Sequence, residues 1–277
     1  MKRITSRHNA LVARFRAVAR GEEPGLLLDG PHLVAEALRS RAPLRQLMVT
    51  ADGLSRRDVQ ALVEQAEKSG TEVSSVSPAV MAAVSPVQSS SAIVAIAERP
   101  PASDDRMFTG TALVVVACDI QDPGNLGAIV RVTEAAGGTG VIAAGSTADP
   151  FGPKALRGSM GSALRLPIGA ATPAEAVARV RQHGCRVLAA VPRGGRSVFD
   201  LDLTNAVAVL IGGEGAGLSQ PMIDAADDRF SIPMQTPVES LNAAVTAAVV
   251  LYEAHRQRTQ NPEPRTPNRE RTQNPER

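Results

Sequence analysis

The sequence predicts an α/β protein, and three observations carry that prediction. Two almost uninterrupted apolar runs, at 112–117 and 206–211, read as strands buried on both faces, as in a parallel sheet. Each feeds a polar or glycine-rich turn, the place where an α/β sheet presents a site at its carboxyl edge. Residues 25–97 alternate short apolar strands with helical periods, the pattern of a sheet covered by helices.

Composition sets the bounds. A chain of 277 residues suits two modest domains or one large one, and 43% hydrophobic with 21% charged residues is a globular balance. Five Phe, one Tyr and no Trp leave the core to Ala, Val, Leu and Ile. They also argue against nucleic-acid binding that stacks bases on an aromatic platform. A net charge of +2 says little about partners. Cys118 and Cys185 flank apolar runs without metal-ligand spacing, so they read as buried free thiols of a reducing compartment, and no metal is expected. With no membrane-length apolar run and no signal peptide in view, a cytoplasmic location is the expectation.

The first twenty residues carry Lys2, Arg3, Arg7, Arg14, Arg16 and Arg20 and no acid. Such a stretch fits a transit peptide, a helix that touches phosphate, or a solvated face. The capped helix start around Ser6, Arg7, His8 and Asn9 favours a folded, nucleic-acid-facing helix over a cleaved leader. Strands follow at 25–30, 44–50, 72–76 and 92–97. Helices follow at 31–38, with Pro31 in the first turn, at 56–69, ended by Gly70, and from Pro78. This domain of about 100 residues holds no acid–base or nucleophile–base pair, so recognition is its expected work. Residues 99–108 read as a linker.

The second half opens with the 112–117 strand, the turn Asp122-Pro123-Gly124, and a helix to Gly137 that carries the lone cation Arg131 among Ile129, Val130 and Val132. Asn125 is suited to capping that helix. A strand at 140–144 precedes a small-residue loop and helix bearing Lys154 and Arg157, a composition fit to hold an anion. Residues 173–183 read as a helix and 186–191 as a strand. The 206–211 strand runs into Gly212-Gly213-Glu214-Gly215-Ala216-Gly217-Leu218. A dinucleotide fingerprint starting at Gly213 would need a third Gly where Leu218 stands, and no Gly-Lys-Ser/Thr follows, so Rossmann and P-loop readings fail. The glycines do allow close backbone approach to a ligand, with Glu214 held among them. A short strand from Phe230 then passes into a loop in which Ser240 is placed to cap. The helix at 243–252 is apolar on nearly every face, so it is expected to be buried all round, one face against a second subunit.

Three stretches together resemble the ordered motifs of the SpoU (TrmH-like) RNA 2′-O-ribose methyltransferases of the SPOUT superfamily. They are Asn125 to Arg131 with Gly137, Ile211 to Leu218, and Ile232-Pro233-Met234 with Ser240-Leu241-Asn242. Arg7-His8-Asn9 and Asp29-Gly30-Pro31-His32-Leu33-Val34 carry a weaker similarity to the family's L30e-like substrate-binding module, from which Ser89-Ser90-Ser91 departs where relatives tend to have glycine. The resemblance implies an L30e-like RNA-binding domain over 1–98, a linker over 99–108, and a methyltransferase domain with a deep trefoil knot over 109–256. It implies S-adenosylmethionine as methyl donor, held by Gly213, Gly217, Leu218, Ile232, Met234 and Leu241, and a homodimer with the site near its interface. It also implies a catalytic set of Arg131, Asn125, Glu214, Ser240 and Asn242. Arg7, Arg14, Lys154 and Arg157 are the expected RNA contacts.

Methyl transfer from a sulfonium is an in-line displacement that gains mainly from positioning. A guanidinium keeps its proton, so Arg131 is expected to clamp the nucleotide and stabilise the developing alkoxide, with Glu214 a candidate proton acceptor. Ribosomal RNA is the first choice of substrate by analogy with the family. Transfer RNA, or a catalytically silent RNA-binding protein of the same fold, are the alternatives. Residues 257–277, with the repeat Arg-Thr-Gln-Asn-Pro-Glu and no apolar run, are expected to be a disordered tail.

Overall fold

The computed structural model describes residues 1–85, 91–101 and 105–260. These residues build two sheets, of five and seven strands. The first half runs β1 (Lys2–Ile4), α1 (Ala10–Arg20), β2 (Leu26–Asp29), α2 (Pro31–Arg39), β3 (Leu44–Thr50), α3 (Ala51–Ser55), α4 (Arg57–Lys68), β4 (Glu72–Val76), α5 (Pro78–Val84) and β5 (Ile93–Ala97). Its strand order is β1-β4-β3-β5-β2. The first three of these are parallel, and β5 runs antiparallel to both β3 and β2. Asn9 starts α1 by accepting the Leu11 N–H at 2.9 Å, and Gly21 ends it in the left-handed region at φ 73°. Val12, Phe15 and Val18 recur on the face of α1 that packs, with Met48, Val76 and Ile96, on one side of this sheet.

The second half runs β6 (Leu113–Cys118), α6 (Pro123–Ala135), β7 (Gly140–Ala144), α7 (Pro153–Ser159), β8 (Ile168–Ala171), α8 (Pro173–Gln182), β9 (Arg186–Ala190), β10 (Arg196–Ser197), β11 (Val207–Gly212), α9 (Gln220–Asp224), β12 (Asp228–Ser231) and α10 (Ala243–Gln260). Its strands are all parallel, in the order β10-β12-β9-β11-β6-β7-β8. The chain leaves β6 toward β7 and β8, crosses back to β9, and then inserts β11 between β9 and β6. The carboxyl ends of β6 and β11, paired through Gly212 and Cys118, are therefore the switch point of the sheet. Burial of every β6 residue explains its unbroken apolar run.

Several expectations change. Asp122, not Asn125, caps α6: its carboxylate accepts from the N–H groups of Gly124 and Asn125, because Pro123 takes the first helical position. Asn242, not Ser240, caps α10, its side-chain oxygen accepting from Ala244 at 2.9 Å and Val245 at 3.3 Å. Within one chain the last helix buries one side and leaves the other, expected against a second subunit, open. Ala243, Ala247, Val250, Leu251 and Ala254 face the core, while Val245 and Tyr252 stay 47% and 51% exposed. It also continues to Gln260, past the expected boundary at 256. The Gln257 amide pairs with Leu203 and Leu201, and the Arg258 guanidinium donates to the carbonyls of Leu203, Asn205, Thr111 and Ala112. Those loop carbonyls need a donor, and a long basic side chain supplies one without an apolar signal in the sequence. Residues 261–277 of the expected tail, and Ser89 and Ser90, lie outside the described residues. The short elements β1, α3, β8, β10 and α9 carried too few residues to show a period.

Candidate active site

At the switch point the loops after β6 and β11 meet backbone to backbone. A Cβ on Gly213 would lie 2.2 Å from the Asp119 carbonyl oxygen, and one on Gly212 would lie 2.3 Å from the Leu218 nitrogen. Only glycine permits this interlock. Beside it opens a cavity of about 300 Å³, within the usual size of a small-molecule site. Gly213, Gly217, Leu218, Ile232, Met234 and Leu241, the six expected cofactor contacts, all line it. Glu214, Ser240 and Asn242 stand on the same wall. Phe230, Val191 and Pro192 also line it, and sequence reasoning missed them, because only the pairing of β12 with β9 brings those segments to β11.

Three polar residues from three separate stretches converge at the edge of the cavity. Asn125, in the first turn of α6, donates its amide to Glu214 Oε1. Asn242 donates to the same Oε1 at 3.0 Å and to Asn125 Oδ1 at 3.1 Å. Glu214 Oε2 has no hydrogen-bond partner among the described residues. The cluster thus offers one free carboxylate oxygen, its partner oxygen pinned by two amides.

The remaining expected residues do not join this hydrogen-bonded cluster. Arg131 is exposed and has no hydrogen bond or ion pair among the described residues. It lies six residues beyond Asn125, about 9 Å along α6 and roughly 240° around it, so one chain does not bring Arg131 into the cluster. Ser240 is exposed on the loop before α10. Of the expected RNA contacts, Arg7 donates to the Ala79 carbonyl at 3.0 Å and Arg14 lies 3.5 Å from Glu23. Lys154 is neutralised by Asp122 at 2.7 Å. That contact, followed by the Asn125 N–H, holds the Asp122 carboxyl below its ordinary range. Arg157 is half-buried, and its Nη1 has no hydrogen-bond partner among the described residues. Asp122 was the residue to find from sequence, since an acid directly before Pro123 marks a helix start.

Cys118 and Cys185 are free and buried. Burial, then the charge of Asp119, pushes the Cys118 thiol up to about 12, which removes it as a nucleophile at neutral pH. Among the described residues no His, Cys, Asp and Glu group could hold a metal, and no helix is long and apolar enough to cross a membrane.

Comparison with known proteins bears on both halves. Residues 112–252 match the model of the SpoU rRNA Methylase family, and residues 14–95 match an MRM3-like substrate binding domain. The 23S rRNA (guanosine(2553)-2′-O)-methyltransferase RlmP of Bacillus subtilis is 27% identical over 91% of this chain and 98% of its own. An uncharacterized tRNA/rRNA methyltransferase of Synechocystis is 32% identical over 92% of this chain and 93% of its own. Among solved structures, the SpoU methyltransferase AviRb from Streptomyces viridochromogenes, in complex with AdoMet, superposes with a TM-score of 0.83. It is 30% identical, with 91% of this chain and 99% of that one covered. An AdoMet-bound rRNA methyltransferase from Sinorhizobium meliloti gives a TM-score of 0.81 at 29% identity, covering 92% of this chain and 97% of that one.

Proposed function

The chain belongs to the SpoU rRNA methylase family, and from that premise we infer that it transfers a methyl group from S-adenosylmethionine to a ribose 2′-hydroxyl of RNA. The carrying observation is the meeting of Asn125, Glu214 and Asn242 at the rim of a cavity walled by the six expected donor contacts.

The cavity fits the donor. Gly212, Gly213, Gly215 and Gly217 line it and carry no side chain to fill it, and Leu218, Phe230 and Ile232 supply an apolar wall for a purine. S-adenosylmethionine supplies a methyl group on sulfonium, which passes to the ribose oxygen as the hydroxyl proton leaves. The protein's own work is to bind and orient. Asn125 and Asn242 fix the Glu214 carboxylate through Oε1, leaving Oε2 to accept the 2′-hydroxyl and its proton. Ser240 stands beside them as a further hydroxyl toward the nucleotide. Arg131 remains a cation throughout, so its role is to clamp phosphate and stabilise the developing alkoxide. Its exposed guanidinium, without a partner among the described residues, supports that role. A homodimer is part of the same reading: the open side of Val245 and Tyr252 on α10, a helix packed against α6, supports a contact with a second copy beside the site. The insertion of β11 between β6 and β9, with Gly213 against Asp119, supports a trefoil knot in the loops around the donor.

Ribosomal RNA is the substrate we infer. The rRNA specificity in the name of the B. subtilis relative, similar along 91% of this chain, supports it. Arg7, Arg14 and Arg157 are its proposed contacts, with Lys154 joining them from its pairing with Asp122. The test is transfer of labelled methyl from S-adenosylmethionine to separate unmodified ribosomal and transfer RNA pools, mapped by nuclease digestion, with Arg131→Ala alongside. Label on a ribose of ribosomal RNA, lost in the variant, is the expected result. Label on transfer RNA alone would overturn the substrate, and donor binding without any transfer would mark a silent RNA-binding protein.

A further inference from the structure

We propose that Glu36 and Arg165 are positioning residues for the transfer reaction. Their contact sets the orientation from which the N-terminal domain presents RNA to the site on the second sheet. This rests on the methyl-transfer reading above.

Glu36 lies on α2 of the first domain, with its side chain only 13% exposed. Three cationic or potentially cationic groups converge on this one carboxylate. Arg165 and Arg39 donate to it, and His32 Nε2 lies 4.0 Å away. Arg165 belongs to the second domain, in the loop after the turn Ser162–Leu164. Its other donors form a fork on Glu134, at 2.7 Å to Oε1 and 2.8 Å to Oε2. Glu134 sits near the end of α6, the helix that carries Asn125 and Arg131. One guanidinium therefore ties the substrate domain to the helix that builds the site. The geometry around it is tight: Gly161, at φ 90°, has no room for a side chain, because its Cβ would lie 2.4 Å from Glu36 Cγ. His32 also reaches the Met160 carbonyl at 3.3 Å. At the linker a second fork, Arg99 on Asp149 at 2.8 and 3.1 Å, lies over the Phe151 ring.

Two features mark a positioning device rather than a prop for either core. Glu36, 13% exposed, and Arg165, 37% exposed, are charged groups beside the apolar cluster that Ala37 and Leu166 share, so the pair adds direction to packing that already joins the domains. The fork on Glu134 also fixes the plane of the guanidinium, and so the direction from which its remaining donor meets Glu36. A misplacement of about 1 Å at a reacting centre can cost about a hundredfold in rate, so small freedom between the domains would be felt in turnover on structured RNA.

The experiment compares wild type with Glu36→Gln, Arg165→Met and the double variant, on full-length structured RNA and on a short target-bearing hairpin. Donor affinity is measured in parallel. The expected result is a rise in KM on the long RNA of tenfold or more, with kcat on the hairpin and donor affinity within twofold of wild type. The double variant should be no worse than Arg165→Met alone, which already removes the contact to Glu36. Unchanged KM on the long RNA would overturn the proposal, as would an equal loss on both RNAs. A second measurement does not depend on activity. Dyes placed through Lys68→Cys and Gln182→Cys report the distance between the domains, which should broaden in the double variant. An unchanged distribution would overturn the proposal, whereas a wild type that transfers no methyl to any RNA would instead overturn the functional reading.

Discussion

Asn242 donates its side-chain amide to Glu214 Oε1 at 3.0 Å while its oxygen caps α10 through Ala244 and Val245. One residue therefore starts the last helix and locks the carboxylate of a loop 28 residues upstream. The two duties are separable. Asn242→Ala loses both and should cost about 1 kcal/mol of stability through the lost cap together with most of the methyl transfer. Asn242→Asp keeps an acceptor for the helix but sets a second carboxylate against Glu214. Its melting temperature should stay near wild type while transfer collapses, and a thermal melt beside a transfer assay separates the cases.

Gly213→Ala should abolish donor binding. The new Cβ would meet the Asp119 carbonyl at 2.2 Å, so the loops after β6 and β11 must part. Overpacking of this kind costs about 1–3 kcal/mol. Calorimetric titration with S-adenosylmethionine should show at least a tenfold loss of affinity, and wild-type binding would refute the interlock.

Arg131→Ala should behave in the opposite way. The side chain is exposed and has no partner among the described residues, so stability should move by no more than about 0.5 kcal/mol. Turnover should fall by roughly 10²–10³, the usual effect of removing one stabiliser of a developing oxyanion. Arg131→Lys should recover only part of it, because an ammonium cannot fork onto a phosphate.

Cys118 should resist alkylation in the native protein at pH 8 and react only on unfolding, as peptide mapping after iodoacetamide would show. Its burial also makes stability pH-dependent. The thiol, pushed up from an ordinary value of 9.0 to about 12, keeps its proton in the folded state while the unfolded chain releases it. That contribution is whole below pH 9.0 and is lost as pH rises toward about 12, at about 1.4 kcal/mol per pH unit within the window. Cys118→Ala should flatten the alkaline arm of a stability profile.

What the sequence determined by itself was local. The buried runs that became β6 and β11 were legible because a strand covered on both faces must be apolar at every position. The amphipathic helices were legible from their period, as α4 shows with Val59, Val63 and Ala66 turned inward. Glycines that stand where backbones touch marked the loop at Gly212 and Gly213, and the three ordered motifs marked the residues of the cluster. Caps were less legible. Asn125 and Asp122 are both good capping residues, and Pro123 decided between them. Asn242 displaced Ser240 because the helix starts one residue after it.

Tertiary structure alone decided how distant residues meet. No local pattern places β11 between β9 and β6, yet that insertion brings Glu214 to Asn125 and opens the cavity against Phe230. Nor does any period link Glu36 to Arg165 across 129 positions, or turn a basic residue of the expected tail, Arg258, into the donor for four loop carbonyls. The reason is physical. Periodicity records which face of one element is buried, whereas strand order and long-range hydrogen bonds are set by how all the buried faces pack at once.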